Sequence, residues 1–334
     1  MSRYYSFIIP VYNRPSEVDE LLESFVNIKF NKLFEIVIIE DGSTLTCESV
    51  LLKYQEILNI SYYFKPNSGP GDSRNYGMNK ALGNYFIILD SDCLLTEDYL
   101  NEVDKALDKD YVDFFGGPDS AHHSFTKLQK AINFVMTSFI TTGGIRGNKK
   151  TLSKFQPRSF NMGISKEAFL ESKGFGNIHP GEDPDLTLRL WKLGFNSKLL
   201  EKAVVFHKRR ISWQKFYKQV YKFGSVRPIL NVWHPKSKKL TYWLPGLYLI
   251  FTLVALILLI LQLKWAVILL LAYNALVFLI ALLNTKDFVI ALQVMYALQI
   301  QFLAYGYGFI KSTLMLSLSK KSPEDLFPEL FFKK

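Results

Sequence analysis

The chain has 334 residues, 49% of them hydrophobic, and a formal net charge of +10. This is enough for one large domain with an addition, or for two domains. The entire charge excess lies between His207 and Leu240, where ten Lys or Arg residues occur with no Asp or Glu, so a generally basic nucleic-acid binder is excluded.

The first residues run into a strand-like segment without the basic region and long apolar core of a secretory signal. The folded N-terminal part is therefore expected to stay in the cytosol. Ser6 to Val11 is a continuous apolar run closed by Asn13-Arg14-Pro15, the pattern of a buried parallel strand. Val18, Leu21, Leu22 and Phe25 then recur at helical spacing, and Phe34 to Ile39 is a second buried strand ending at Glu40-Asp41. A helix over 49–58, a strand over 60–64, a loop over 66–71, a helix over 72–82 and the apolar run Tyr85 to Leu89 follow. This alternation predicts an α/β fold with a Rossmann-like, mostly parallel sheet.

The middle of the chain is less regular. Phe125, Leu128, Ile132, Val135, Met136 and Phe139 predict an amphipathic helix, and 141–157 reads as a glycine- and lysine-rich loop. A strand over 159–164, a helix over 166–172, a helix from Pro184 to Leu193 and a strand over 198–206 ending at His207 complete the expected domain. Cys47 and Cys93 show no metal or redox spacing, and the five histidines form no ligand pair at helical spacing, which leaves zinc unsupported.

Beyond His207, Trp213, Phe216, Tyr217, Val220 and Tyr221 line one helical face, with Lys215, Lys218 and Lys222 elsewhere. This predicts an interfacial helix on an anionic membrane, the alternative being a surface helix packed on the protein. Three apolar segments follow, at 243–263, 265–283 and 288–310. The first two match the ~20 residues that cross a bilayer. The third carries Gln293, Gln299 and Gln301, so it either packs within a bundle or lies partly in the interface. Lysines in the tail disfavour its export, and the side it faces stays open. The expected division is a catalytic domain over 1–210, a basic interfacial segment over 211–241, two to three transmembrane helices over 242–312, and a polar tail over 313–334.

Three acidic signatures carry the chemistry. Asp90-Ser91-Asp92 directly follows a buried strand, where an open α/β sheet binds its ligand. Paired carboxylates there are costly without a cation or partner, and hard oxygens suit Mg²⁺ or Mn²⁺ carrying a diphosphate. A pair of solvated loop carboxylates is the plainer reading. Asp41-Gly42-Ser43 ends the second strand, either facing a nucleobase or forming a turn. Arg74 either meets a diphosphate or is a solvated helix residue. In Glu182-Asp183, Asp183 precedes Pro184 and reads as the cap of the following helix, as a catalytic base, or as both, with Glu182 the alternative base. His207 is either a metal ligand or a plain strand-end histidine.

Taken in order, the segments from Ser6 to Arg14, Glu40 to Ser43, Ser73 to Gly77, Leu89 to Asp92 and Gly181 to Asp183 resemble glycosyltransferase family 2, over roughly residues 5–210. The resemblance implies a GT-A fold, a nucleotide-diphosphate sugar donor (UDP- or GDP-linked), a divalent cation and inversion at the anomeric carbon. It implies donor-side roles for Pro10, Tyr12, Arg14, Asp41, Arg74 and Asp90, with Tyr12 and Asp41 at the base and Arg74 and Asp90 at the ribose or diphosphate. It implies metal binding by Asp92 with His207, and a base role for Asp183. The Gln-x-x-Arg-Trp motif of the family's processive synthases is absent, the nearest stretch being 209–214, and no apolar segment precedes the domain. The expected activity is therefore single addition of a sugar to a lipid-linked glycan at a membrane. A polyprenyl-phosphate sugar synthase and a non-catalytic membrane adaptor are the alternatives.

Overall fold

The computed structural model describes residues 3–120, 125–143, 155–207 and 212–332, apart from the side chains of Ser120 and His207. Two units emerge, one of residues 1–122, 152–208 and 331–334, the other of 123–151 and 209–330. The boundary differs from the expected cut at residue 210 in two places: 123–151 belong with the second unit, and 331–334 with the first.

In the first unit, β1 (Tyr5–Val11), α1 (Pro15–Val26), β2 (Phe34–Asp41), α2 (Glu48–Leu51), β3 (Ile60–Lys65), α3 (Pro70–Lys80), β4 (Tyr85–Leu89), β5 (Cys93–Leu95), α4 (Tyr99–Lys109), β6 (Phe114–Gly116) and β7 (Asp119–Ser120) succeed one another. After α5 (Lys127–Thr137) and α6 (Phe139–Thr142) of the second unit come β8 (Asn161–Ser165), α7 (Lys166–Ser172), α8 (Glu182–Lys192), β9 (Ser197–Leu199) and β10 (Val205–His207). The sheet has seven strands in the order β3-β2-β1-β4-β8-β6-β9, mostly parallel, with β8 antiparallel to both neighbours. The apolar runs are continuous because both faces of β1 and β4 are covered, and Phe7, Ile8, Ile87 and Ile88 are fully buried. Phe7 meets Phe25 of α1 edge to face at 4.7 Å.

Strand order reverses between β1 and β4, and their pairing stops at Ile8 with Ile88. Pro10, which has no amide hydrogen to give, lies beyond that point and retains only β2 as a neighbour. The carboxyl ends of β1 and β4 therefore part, leaving the crevice in which such sheets bind ligands.

Two expected elements differ. The helix over 49–58 is helical only at Glu48–Leu51, because Lys53 and Ile57 donate to carbonyls three residues back, a turn pattern. The strand over 198–206 is two strands in different sheets: a turn in which Ala203 N–H donates to Leu200 O at 3.0 Å takes the chain from β9 beside β6 to β10 beside β5 and β7.

The second unit is helical. Besides α5 and α6 it contains α9 (Trp213–Trp233), α10 (Leu244–Ile260), α11 (Trp265–Thr285), α12 (Phe288–Leu318) and α13 (Pro323–Leu326). Three helical stretches, Leu240–Ile260, Trp265–Thr285 and Phe288–Leu318, are long and apolar enough to cross a membrane. Tyr248, Asn274 and Gln299 tie α10, α11 and α12 together: Tyr248 Oη donates to Gln299 Oε1 at 3.0 Å, and Gln299 Nε2 to Asn274 Oδ1 at 2.7 Å. On the apolar side of α9, Phe216 and Val220 are buried against protein in a cluster with α5 and α12, while Tyr217 stays half exposed. Glycines permit that approach, since a Cβ on Gly308 would stand 2.6 Å from Tyr221 O. Gly308→Leu is expected to cost on the order of 1–3 kcal/mol, read as a lower unfolding midpoint in detergent. An unchanged midpoint would contradict this packing.

Candidate active site

The carboxyl ends of β2 and β4 and the start of α8 carry the acidic signatures. At the end of β2, Asp41 is buried, and both of its oxygens are engaged. Lys65 Nζ donates to Oδ1 at 2.7 Å, Ser68 N–H to Oδ1 at 3.0 Å and Gly69 N–H to Oδ2 at 2.9 Å. Asp41 thus anchors the loop 66–71 that leads into α3. Gly69 at φ +92° makes the turn possible. Asn13 joins the loops after β1 and β2, its Oδ1 accepting from the amides of Thr44 and Leu45 at 2.9 Å each. Tyr12 beside it is half exposed, its ring uncovered at the mouth of this region.

Asp90 and Asp92 flank the turn between β4 and β5, and each faces an arginine. Arg74 Nη2 donates to Asp90 Oδ1 at 2.8 Å, and Arg14 Nη1 to Asp92 Oδ2 at 2.7 Å. Arg74 is buried rather than solvated. Its Nη1 donates to Glu182 Oε1 at 3.2 Å, which links the middle signature to the last one. Burial alone would lower the Arg74 pKa, but the charges of Asp90 and Glu182 reverse that and hold it ionised. The backbone of His207 lies in register with Cys93, one residue past Asp92. Its side chain, like the loop residues 144–154, lies outside the described residues.

α8 begins two residues earlier than expected. Gly181 at φ +123° precedes it and Glu182 is its first residue, so Asp183 sits inside the first turn rather than at the cap. The two neighbouring carboxylates differ. Burial pushes the Glu182 pKa up, but His179, whose Nδ1 is 3.0 Å away, and Arg74 more than offset it, leaving Glu182 below the usual carboxylate range. Asp183 is raised, first by burial and then by the adjacent Glu182 charge, with Arg74, Arg158 and a Ser159 hydrogen bond opposing. Its Oδ1 is buried and accepts no hydrogen bond from the described residues.

Lys65, Arg158, Ser159 and His179 were not singled out from the sequence. His179 had a local signal, three residues before Glu182, but Lys65 reaches Asp41 only through the pairing of β3 with β2, and Ser159, in the turn before β8, reaches Asp183 only in the folded chain. Among the described residues no three His, Cys, Asp or Glu side chains cluster as a metal site.

The family model for Glycosyl transferase family 2 matches residues 6–171. Residues 6–171 carry a glycosyltransferase family 2 domain. It is 34% identical over 143 residues to an uncharacterized glycosyltransferase of Rickettsia felis, covering 43% of this chain and 22% of that protein. Over 238 residues it is 24% identical to a GalNAc(5)-diNAcBac-PP-undecaprenol beta-1,3-glucosyltransferase of Campylobacter jejuni, covering 68% and 70%. The chain thus spans only about a fifth of the length of the Rickettsia felis relative. Among solved structures, mannosyltransferase PcManGT from Pyrobaculum calidifontis, in complex with GDP-Man and Mn²⁺, superposes with a TM-score of 0.58 at 15% identity, over 94% of this chain and 88% of that one. This supports the GT-A fold.

Proposed function

We propose that the protein is an inverting glycosyltransferase that adds one sugar from a nucleotide-diphosphate donor to a membrane-associated, lipid-linked glycan. The observation that carries this reading is the chain Asp90–Arg74–Glu182 with Asp183 beside it, which joins a diphosphate-type site at a strand end to a buried carboxylate of raised pKa. The Campylobacter relative, named for an undecaprenol-linked substrate, supports the acceptor class.

In this reading Pro10, Tyr12 and Asp41 shape the base side of the donor pocket, Asp41 by holding the loop 66–71. Arg74 and Arg14 present cations to the diphosphate, and Asp90 orients Arg74. In this reading Asp92, with Asp90 beside it at the strand end, and His207 would hold a hard divalent cation, Mg²⁺ or Mn²⁺. When bound, such a cation supplies charge for the departing diphosphate. Asp183 accepts the proton of the acceptor hydroxyl as that oxygen attacks the anomeric carbon from the face opposite the leaving group. One displacement of this kind inverts the centre. Glu182, held ionised by His179 and Arg74, keeps its charge against Asp183 and so tunes the base.

Nucleotide binding tests the donor side. A UDP- or GDP-sugar is expected to raise the unfolding midpoint of the purified protein, more with Mn²⁺ than with chelator. No shift from any nucleotide sugar would contradict it. The pH profile tests the base. Activity needs ionised Asp183, so kcat/KM should rise with pH through a limb above the ordinary aspartate range. Glu182→Gln removes one of the charges raising Asp183, so the limb should move to lower pH. A limb that stays put or moves up would exclude Asp183 as the titrating base.

The ten cations between His207 and Leu240 and the apolar helices support attachment at an anionic membrane, with the catalytic unit on the cytosolic side.

A further inference from the structure

The chain does not leave the catalytic unit for good when it enters the apolar helices. Phe331 forms an antiparallel bridge with Ile178, and Phe332 N–H donates to Asn177 O at 3.0 Å. The Phe332 ring lies 5.8 Å from the ring of His179, the histidine bound to Glu182. It also covers Gly69, where an added Cβ would stand 2.3 Å from the ring. Residues 331–332 therefore fill the space between loop 66–71, anchored by Asp41, and the loop that leads to Glu182. They belong to the catalytic unit by their contacts.

A second observation concerns the other end of α12. Lys127, at the start of α5, forms a 2.8 Å ion pair with Asp287, which caps α12 through the amides of Val289 and Ile290. Lys127 follows β7 of the catalytic sheet by only a few residues, and α5 with α6 is too short to cross a bilayer before the chain returns to β8. The ion pair thus holds the start of α12 to α5, which in the chain lies between two strands of the catalytic sheet.

We infer that α12 does not cross the membrane, and that the lipid-facing surface is an α10–α11 hairpin whose two ends both lie on the catalytic side. Charge placement agrees. Between Lys239 and Lys286 the sole charged residue is Lys264, in the hairpin turn, and Leu253, Leu256, Ile257, Ile268, Leu269 and Leu279 are exposed apolar side chains suited to hydrocarbon. By contrast α12 carries Gln293, Gln299, Gln301 and Lys311, and it buries a long row of side chains against the other helices of its unit. At 31 residues it is about 46 Å long, more than a crossing needs. The inference rests on the membrane attachment proposed above and is independent of the transfer reaction.

Single cysteines at Lys109, Lys286 and Lys320, all exposed positions, test it in the full chain, since native Cys47 and Cys93 are buried. In sealed vesicles, a membrane-impermeant maleimide should label all three variants to the same extent before permeabilisation. Labelling of Lys286→Cys or Lys320→Cys from the side opposite to Lys109→Cys would overturn the inference. Deuterium exchange gives a readout that needs no activity. A chain ending at Leu330 should exchange several-fold faster over 176–182 than the full chain, and unchanged exchange there would also overturn it.

Discussion

Asp183→Asn is expected to reduce sugar transfer by roughly 10²–10⁴-fold, the usual contribution of a positioned general base, while nucleotide-sugar binding persists. The substitution keeps the shape of the side chain and removes its ability to take a proton. Asp183 is suited to this task because burial and the Glu182 charge raise its proton affinity, and because its buried Oδ1 accepts no hydrogen bond from the described residues. Glu182 is less suited, since His179 and Arg74 hold its carboxylate as an anion below the usual range. Rate and donor affinity, measured separately, decide the point. Full activity in Asp183→Asn would remove the base assignment. It would also favour a lipid phosphate as nucleophile, because an ionised phosphate needs no proton taken from it.

Arg74→Ala is expected to act on both fold and function. The guanidinium is buried and bridges Asp90 and Glu182, with Phe175 across its face at 5.3 Å. Removing it leaves Glu182 buried with its arginine partner gone, a change that costs about 3–5 kcal/mol when a buried pair is broken from one side. Urea unfolding of the purified protein should show the loss. Arg74→Lys restores a charge without the two-sided fork, so it should recover part of the stability and little of the donor binding. Equal stability in Arg74→Ala would mean that the link between the two acidic signatures carries no load.

Much of this site was legible in the sequence for local reasons. Asp41, Asp90 and Asp92 each follow an unbroken apolar run, and a parallel sheet places the ends of such runs at one edge, so their neighbourhood follows from alternation alone. The resemblance then supplied the roles proposed for them. Pairings between distant segments were not legible. Nothing local in Arg14 announces Asp92, and nothing in Lys65 announces that it holds Asp41 from the neighbouring strand. The same limit explains residues 123–151: their helical spacing was readable, but their apolar face packs on α12, far along the chain. For α9 the pattern of apolar and basic residues was read correctly, while the surface that covers Phe216 proved to be protein rather than lipid. Amphipathic spacing reports that a face is buried and is silent on what buries it. At α8 the shift was two residues, because Gly181 at φ +123° takes the cap position expected for Asp183.

The most direct test of the central claim is transfer of a labelled sugar by the purified protein in lipid vesicles, from UDP- and GDP-sugars with Mn²⁺, into a lipid-linked glycan extracted with organic solvent. The account predicts one sugar added per acceptor, with the anomeric configuration opposite to that of the donor, and product formed by Asp183→Asn slower by the roughly 10²–10⁴-fold given above. Retention of the donor's configuration, or no transfer from any nucleotide sugar while the donor still binds, would contradict it.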